Sequence, residues 1–421
     1  MIKVIRNALP VETCEFISLN MDLLFHLVDY PKDEYVINST GYYAPIFLES
    51  LLVYLQPIVE QTFSKNRKSS KFLQTNLHCL PEDLWQDLRE FRDGSLLVGY
   101  KVNDRNIKMW STIGQRATFG LLAYEIANNI RDLVVLTCDV STSAGLDRFR
   151  KNYPEKFIEL GISEQNMIGV AAALANENHK VITTSFAPFQ TMRCCEQIKV
   201  NLGYMQEKVT MVGLASGLVL GNLGFTHCCI EDIGVLRSIP NINIVSPSDS
   251  LETIKSVESS INNEHSTYIR ITGGTNNPII NKSDYKFEIG KSITLKKGDD
   301  VTIFSSGAIL GECITAAEKL KEKRISVEII NMHTIKPIDK EAILNSANKK
   351  KLIVTVEEHN KIGGLGSAVS EVLSSLRNSP KQLTLGVNDV YTKSGSYNFL
   401  KNYYRLTSEK IIEDVRKNLN E

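Results

Sequence analysis

Residues 181–214 of the 421-residue chain read VITTSFAPFQTMRCCEQIKVNLGYMQEKVTMVGL. Two apolar runs rich in β-branched residues, 181–185 and 209–214, flank a window at 190–202 that has helical character. Short strands that are apolar throughout and alternate with helices are typical of parallel α/β sheets with both faces covered. These residues therefore predict a strand–helix–strand unit of a parallel sheet.

The same alternation continues on both sides of this unit. The predicted strands there lie at 133–137, 157–160, 242–245 and 267–271, and the helices near 115–128, 164–176, 230–238 and 249–261. A polar stretch at 275–292 is expected to be a linker. Beyond it, strands at 301–305, 326–330, 352–356 and 382–387 alternate with helices near 309–322, 338–347, 365–376 and 407–419.

The pattern predicts an α/β fold with two parallel-sheet α/β domains after an amino-terminal extension. The extension, residues 1–105, contains amphipathic helical stretches and a basic, Ser-rich patch, and is expected to be α-rich or mixed. The first α/β domain is expected at 106–280 and the second at 281–421.

The composition argues against several classes of protein. The chain has 48 Lys+Arg and 48 Asp+Glu, and this balance gives no electrostatic reason to expect nucleic acid or an anionic membrane as partner. No run of about 18 apolar residues is present, so no membrane span is expected. Eight cysteines without a Cys-x-x-Cys motif predict neither a disulfide framework nor a zinc site. We therefore expect a reducing compartment, the cytoplasm.

Loops that follow the predicted strands carry the candidate site residues, because ligands of parallel sheets bind at the carboxyl ends of strands. Glu164 begins a predicted helix after Ser163, a natural N-cap. It is either a carboxylate favoured there by the helix dipole or a functional carboxylate aimed into the crevice at the end of the sheet. Phe186 and Phe189 are either core residues or an apolar wall for an aromatic ligand ring. His227 follows a glycine-rich loop and is either structural or catalytic.

Taken together, these loops resemble the pyrimidine-binding domain of the transketolase family. The matching runs are FIELGISEQNMIGVAAALA (157–175), TTSFAPFQTMRCCEQI (183–198) and GFTHCCIEDIGVLRSIPNINIVSPSD (224–249). Further on, HTIKPID (333–339) and EEHNKIGGLGSAV (357–369) resemble the carboxy-terminal domain of the same family. The resemblance covers about residues 106–421.

The resemblance implies an enzyme that uses thiamine diphosphate to transfer a two-carbon ketol unit between a ketose and an aldose. It implies that Glu164 hydrogen-bonds the ring nitrogen of the aminopyrimidine and acts in catalysis with His227, which faces the reacting carbons. Phe189 corresponds to the aromatic residue that stacks on the pyrimidine, with Phe186 beside it. The cofactor carries the difficult chemistry, and the protein orients it.

Four further residues match family positions. Asp139 and Val140 match an acidic-plus-apolar pair near the cofactor. Arg116 and Ser143 match positions that touch the substrate phosphate in the sugar-phosphate enzymes. The substrate implied is therefore a sugar or a sugar phosphate.

Three departures from the family pattern lie on the substrate side. Ala215 stands where the family usually has a histidine, and Asn222-Leu223-Gly224 stands where it commonly has Glu-Asp-Gly. Gly273 falls at the second phosphate arginine, which leaves Arg270 nearby. A sugar-like ketose other than the usual phosphorylated pentose therefore fits at least as well.

A larger departure concerns the diphosphate. The family binds the diphosphate and Mg²⁺ through a Gly-Asp-Gly…Asn signature in a separate domain, and this sequence contains no Gly-Asp-Gly. We therefore expect a split enzyme in which another chain, the amino-terminal diphosphate-binding subunit, holds Mg²⁺. This chain itself is expected to supply no metal ligands. An α2β2-like assembly with active sites between chains follows.

The remaining hypotheses concern the role of the amino-terminal extension and two alternative functions for the chain. Parts of residues 1–105 resemble prolyl-hydroxylase-like chains but lack a His-x-Asp iron motif, so a structural or docking role is expected. One rival function is the β subunit of a 2-oxoacid dehydrogenase, which shares the layout of two domains. The other is a catalytically inactive regulatory or scaffold subunit.

Overall fold

The computed structural model describes residues 101–348 and 350–420. Nearly all of the predicted extension lies outside these residues, and so does the α-rich or mixed character predicted for it. Among the described residues, twelve strands form two sheets. In chain order they are β1 Leu133–Thr137, β2 Phe157–Glu159, β3 Lys180–Phe186, β4 Val209–Leu214, β5 Ile242–Val245, β6 Ser266–Arg270, β7 Ile293–Lys296, β8 Val301–Ser305, β9 Val327–Asn331, β10 Thr334–Lys336, β11 Leu352–Asn360 and β12 Lys381–Val387.

The helices of the described residues lie between these strands and after the last of them. In chain order the α-helices are α1 Asp104–Asn129, α2 Asp147–Asn152, α3 Glu164–Asn176, α4 Ala187–Gln190, α5 Cys195–Gln197, α6 Asp232–Arg237, α7 Ser250–Ile261, α8 Leu310–Glu322, α9 Lys340–Ala347, α10 Leu365–Leu373, α11 Tyr397–Tyr403 and α12 Ser408–Asn420. The helix predicted near 190–202 is an α-helical turn, α5, followed by a π-helix, Ile198–Tyr204.

The first sheet has the strand order β10-β5-β6-β4-β3-β1-β2, and the second has the order β12-β11-β8-β9-β7. The strand–helix–strand unit predicted from 181–214 is present, since β3 and β4 pair in parallel with Val181 opposite Val209. The prediction of two α/β units is confirmed. Each sheet is nevertheless mixed rather than purely parallel, because β10 pairs antiparallel with β5 and β7 pairs antiparallel with β9.

The two antiparallel strands are edge strands that the sequence pattern did not predict. β10 has three residues and β7 has four, which is too short for a clear strand pattern. β10 follows β9 of the second sheet in the chain, yet it completes the edge of the first sheet. The two sheets are therefore connected by the chain at β10 as well as at the segment between β6 and β7.

Buried apolar side chains cover both faces of the central strands. β1, β4 and β8 are buried over their full length, as expected for strands with helices on both sides. No helix in the described part of the chain has the length and apolar character needed to cross a membrane.

Arg270, the last residue of β6, joins the two sheets. Its Nε donates to both carboxylate oxygens of Asp232, at 3.0 and 2.8 Å. Its Nη2 donates to the carbonyl oxygens of Cys229 (3.1 Å) and of Glu358 in β11 (2.7 Å). The Tyr268 hydroxyl also donates to Asp232, at 2.8 Å. This cluster, which we call the joint, is buried: the side chain of Arg270 is 2% exposed and that of Asp232 is 0% exposed.

Two titratable residues of β11 lie beside the joint. Nε2 of His359 accepts a hydrogen bond from the Gly234 amide at 3.2 Å, and its Nδ1 donates to the Asn360 carbonyl oxygen at 2.7 Å. Burial lowers the pKa of His359 to about 4, so the ring is neutral at pH 7. Burial raises the pKa of Glu357 to about 7, although this carboxylate accepts backbone amides at the start of α10. The joint is therefore a buried polar network.

Candidate active site at the carboxyl edge of the first sheet

The predicted site residues follow strands that end at one edge of the first sheet. β1, β3 and β4 are adjacent and parallel, so the loops after them emerge at the same edge. The loop after β1 carries Asp139 and Val140, β3 ends at Phe186, and the loop after β4 carries His227. Glu164 begins α3, directly after β2. The topology thus gathers residues that are far apart in the sequence.

Glu164 is a buried carboxylate, with a side chain that is 3% exposed. It lies in the first turn of α3, where the helix amide groups favour a negative charge. Its Oε2 accepts a hydrogen bond from Nη1 of Arg193 at 2.7 Å. Ser163 makes no capping bond to this helix, because its hydroxyl donates to the Leu160 carbonyl oxygen instead, at 2.8 Å. The helix amino terminus and the guanidinium of Arg193 therefore balance the carboxylate.

Arg193 also lies over the ring of Phe189. Its guanidinium carbon is 4.2 Å from the ring centroid, and its side chain is 41% exposed. The backbone is held more firmly, since the Arg193 carbonyl oxygen accepts from Nε2 of Gln165 at 3.0 Å and its amide donates to the Pro188 carbonyl oxygen at 3.3 Å. The guanidinium thus fills the space between a buried carboxylate and an aromatic face.

The rings of Phe186, Phe189 and His227 form one cluster. The centroid of His227 is 5.3 Å from that of Phe189 and 6.2 Å from that of Phe186, in edge-to-face arrangements. The two phenylalanine centroids are 6.4 Å apart. All three rings are half-buried, and Oγ1 of Thr226 lies 3.0 Å from Nδ1 of His227. The two phenylalanine rings are therefore neither fully buried in the core nor fully exposed, and they contact His227.

The loops after β1 and β2 are tied together by Glu159. Its Oε1 accepts the amide of Asp139 at 2.7 Å and the amide of Gly161 at 3.0 Å. Asp139 has φ = 56°, a left-handed conformation that aspartate tolerates better than most residues, and its side chain is exposed. Val140, the apolar member of the predicted pair, is buried. The pair therefore presents its acidic residue outward and its apolar residue inward, close to the start of α3.

The two residues predicted to touch a substrate phosphate lie on neighbouring segments. α1 carries Arg116, and it packs directly on the loop of Ser143, because a Cβ on Gly120 would lie 2.1 Å from the Gly145 carbonyl oxygen. Both side chains are partly exposed. Within 101–348 and 350–420, neither side chain has a hydrogen-bond or ion-pair partner.

Arg270 is not available to a substrate phosphate. The sequence places it near the missing second phosphate arginine at Gly273, but the structure uses its guanidinium in the joint. The Gly273 amide donates to Oε1 of Gln115 at 2.5 Å, so this backbone is also engaged. Arg116 is therefore the arginine that remains at the predicted phosphate positions.

Two buried thiols, those of Cys138 and Cys194, belong to segments that also carry candidate site residues. Burial raises the pKa of Cys138 to about 11 and that of Cys194 to about 12. Sγ of Cys194 donates to the Phe189 carbonyl oxygen at 3.2 Å. Protonated thiols are poor nucleophiles and poor metal ligands. In the part of the chain that the structure describes, no three His, Cys, Asp or Glu side chains lie together as a metal site requires.

The structure thus brings together Glu164, Phe189, Phe186 and His227, with Arg193 in contact with both Glu164 and Phe189. Sequence reasoning missed Arg193. The available signal was its position four residues after Phe189, since residues at that spacing are neighbours on a helical turn.

Two family models and several known proteins match this chain over most of residues 111–411. Residues 111–275 match the family model for the transketolase pyrimidine-binding domain, and residues 290–411 match the model for the transketolase C-terminal domain. A protein of Methanocaldococcus jannaschii named as a transketolase C-terminal section is 38% identical over 72% of this chain and 97% of its own length. A protein of Phocaeicola vulgatus named as one subunit of an apulose-4-phosphate transketolase is 36% identical over 72% of this chain and 98% of its own length.

A solved structure described as a split gene transketolase, inactive beta4 tetramer, has a similar fold. It superimposes with a TM-score of 0.66 at 34% identity, covering 73% of this chain and 98% of that chain. Both domain models match this chain, and the chain covers nearly the whole length of the relatives named above. These matches assign the chain to one family. This chain belongs to the transketolase family, within which it carries the pyrimidine-binding and carboxy-terminal domains.

Proposed function

We propose that this chain is the carboxy-terminal subunit of a thiamine-diphosphate-dependent transketolase. The enzyme transfers a two-carbon ketol unit from a ketose to an aldose, and it works with a separate diphosphate-binding chain. The observation that carries the proposal is the buried carboxylate of Glu164 beside the face of Phe189, in a pyrimidine-binding domain. The division into 1–105, 106–280 and 281–421 is part of the same proposal.

The residues present fit the pyrimidine half of the cofactor. An aminopyrimidine has a flat face for stacking and nitrogen donors along its edge. The space between Glu164 and Phe189 holds a group of this kind, because the flat guanidinium of Arg193 donates to the carboxylate and stacks on the ring. When bound, thiamine diphosphate supplies the electron sink for cleavage and formation of the carbon–carbon bond.

The side chains of this chain orient the cofactor and handle protons. Glu164 holds a proton shared with the pyrimidine ring nitrogen, in a position from which water is largely excluded. Phe189 and Phe186 fix the plane of the ring. His227 borders the same wall, and the Thr226 hydroxyl engages its Nδ1. Nε2 of His227 is then the nitrogen that exchanges a proton with the substrate oxygen.

The substrate is a ketose that carries an anionic group. Arg116 and Ser143 form its recognition site, with Asp139 and Val140 on the neighbouring loop near the cofactor. Arg270 lies in the joint, so one arginine serves where the family commonly uses two. One relative is named for apulose-4-phosphate, a phosphorylated sugar, and its likeness supports an anionic ketose here.

The diphosphate and Mg²⁺ are held mainly by the partner chain, in an α2β2-like assembly. An exposed aromatic surface formed by Tyr391 and by Phe225, which lies two residues before His227 in the chain, is the docking surface for this partner. The two rings are 5.3 Å apart, and the side chain of Tyr391 is 81% exposed. The Gly395 amide donates to the Gly221 carbonyl oxygen at 3.0 Å, which links the two loops.

We place the assembly in the cytoplasm. The six cysteines of the described residues are free, which suits a reducing compartment.

The decisive experiment combines this chain with its diphosphate-binding partner by co-expression and replaces Glu164 by Ala. Ketol transfer falls by about 10²- to 10⁴-fold, since the proton at the ring nitrogen is no longer held. Cofactor affinity, measured by titration calorimetry, also falls, while size-exclusion chromatography detects the intact assembly. Glu341→Ala, which removes an exposed acid in the first turn of α9, is the control and leaves both values unchanged. Unchanged turnover in Glu164→Ala removes Glu164 from the mechanism and favours a scaffold role.

The docking surface has its own test. Tyr391→Ser weakens association with the diphosphate-binding chain, measured by analytical ultracentrifugation, because an exposed aromatic side chain is a typical anchor of an interface. Tyr204→Ser is the matched control, since Tyr204 is equally exposed but precedes β4, at the opposite edge of the sheet. Equal affinities in the two variants contradict the assignment of this surface.

A further inference from the structure

Arg193 holds the position between Glu164 and Phe189. It donates to the carboxylate at 2.7 Å and places its guanidinium 4.2 Å from the ring centroid. A guanidinium is flat, carries N–H donors along its edge and stacks on aromatic rings. These are the same properties by which the pyrimidine ring is recognised in the function proposed above.

We propose that Arg193 and the aminopyrimidine compete for one position between Glu164 and Phe189. Arg193 keeps the buried carboxylate paired until the cofactor enters, and its side chain then turns toward solvent. This inference rests on the proposed function, because it takes Glu164 and Phe189 to be the pyrimidine contacts. It makes Arg193 a residue that sets cofactor affinity.

The proposed role of Glu164 indicates that Arg193 competes with the pyrimidine rather than staying in contact with the carboxylate. Nη1 of Arg193 donates to Oε2 of Glu164 at 2.7 Å and so occupies a hydrogen-bonding position of this carboxylate. The proposed role of Glu164 needs its carboxylate to bond the ring nitrogen of the pyrimidine, and the guanidinium stands in the way of that bond. The working site is therefore one from which the guanidinium has moved.

The surroundings of Arg193 allow this movement. Its side chain is 41% exposed, and its guanidinium makes one ion pair. Arg193 is the exposed partner of this pair, so its guanidinium can turn into solvent when an entering pyrimidine takes its place on Glu164. The backbone remains fixed by Gln165 and Pro188, which lets the side chain turn without a change in the main chain. The burial of Glu164 explains why a counter-charge is needed at all before the cofactor arrives.

The test measures the affinity of the full chain, assembled with its diphosphate-binding partner, for thiamine diphosphate with Mg²⁺ by titration calorimetry. Arg193→Met removes the competing cation and keeps apolar bulk, so affinity rises by about 3- to 10-fold, as the loss of a partly exposed ion pair and its ring contact implies. Arg193→Lys retains the charge without the flat face and gives an intermediate rise. Arg405→Met is the matched control, since Arg405 is 45% exposed and pairs with Asp414 at 2.7 Å in the second unit, and it leaves affinity unchanged.

Repeating the Arg193→Met measurement in the Glu164→Gln variant shows whether the rise in cofactor affinity depends on the carboxylate. In Glu164→Gln, where the ion pair is already lost, Arg193→Met produces a smaller rise, because only the ring contact is left to remove. Unchanged or weaker affinity in Arg193→Met with Glu164 intact overturns the competition and makes Arg193 a permanent wall of the site. If Glu164→Ala does not weaken cofactor binding, the proposed function fails instead. The two failures are therefore distinguishable.

Discussion

Two arginine–carboxylate pairs of nearly equal length serve different purposes in this molecule. The pair Arg193–Glu164 joins its atoms at 2.7 Å and the pair Arg270–Asp232 at 2.8 Å. Arg193 is half-exposed and adds one ring contact, whereas Arg270 is buried and adds hydrogen bonds to two carbonyl oxygens from different parts of the fold. The Asp232 carboxylate also accepts the Tyr268 hydroxyl. Distance alone does not separate the pairs, but burial and the number of further partners do.

The difference indicates which pair opens during function. Removing one partner of a buried, fully bonded pair leaves a charge without water or a counter-charge, and this is strongly destabilising. A pair with one open side can exchange its partner for water or for a ligand with little change in free energy. The joint is therefore fixed, while the pair at the site is exchangeable.

Breaking the joint has the largest expected effect on stability. Arg270→Met leaves Asp232 buried without its cation and two carbonyl oxygens without a donor. We expect the free energy of unfolding to fall by about 3–5 kcal/mol. Equilibrium urea unfolding, followed by near-ultraviolet circular dichroism, measures it.

Two further variants sharpen this result. Arg405→Met removes an exposed pair and should lower the free energy of unfolding by about 1 kcal/mol or less. Asp232→Leu combined with Arg270→Met removes both charges and should recover most of the loss, since no unpaired charge remains buried. A single Arg270→Met variant as stable as the Arg405→Met control would refute the structural role of the joint.

The pH dependence of stability tests the joint next. Burial lowers the pKa of His359 from 6.5 to about 4. Between pH 6.5 and pH 4 the ring is therefore protonated in the unfolded chain and neutral in the folded chain. Its contribution is complete above pH 6.5 and is lost as pH falls toward 4. We expect the free energy of unfolding of the native chain to fall by about 3 kcal/mol over this interval, relative to that of the His359→Gln variant. Glu357, whose pKa is raised to about 7, acts in the opposite direction.

The difference between the native chain and the His359→Gln variant reports on the histidine alone, because all other titratable groups, including Glu357, are present in both. Urea unfolding at a series of pH values gives the two curves. Parallel curves between pH 6.5 and pH 4 would mean that burial does not hold the His359 ring neutral in the folded chain.

The regular part of the fold was accessible from the sequence. Residues 133–137, 209–214, 242–245 and 301–305 are apolar strands whose predicted bounds agree with the structure, as do those of the helix at 164–176. Strands that are buried on both faces are apolar at nearly every position, and this makes them easy to recognise in the sequence. β7 and β10 were missed because a strand of three or four residues at an edge has too few positions to establish a period.

The site was accessible only in part. The motifs around Glu164, Phe189 and His227 carried the resemblance, and the structure brings these residues together. Their roles remain predictions. Arg193 was missed because a lone arginine in a helical window is usually solvated. Its spacing from Phe189 was a local signal, but its contact with Glu164 depends on the meeting of the loops after β2 and β3. The burial of Arg270 likewise depends on β11, nearly ninety residues further along the chain.

The smallest effect is expected at the site. Arg193→Met should lower the free energy of unfolding at pH 7 by about 1 kcal/mol or less, because truncation of a half-exposed side chain admits water to the Glu164 carboxylate. A double-mutant cycle with Glu164→Gln, measured by urea unfolding, gives the coupling free energy of the pair directly. A coupling near that of a buried pair, about 3 kcal/mol or more, would mean that Arg193 stays on Glu164 as firmly as Arg270 stays on Asp232, and the exchange at the site would then have no basis.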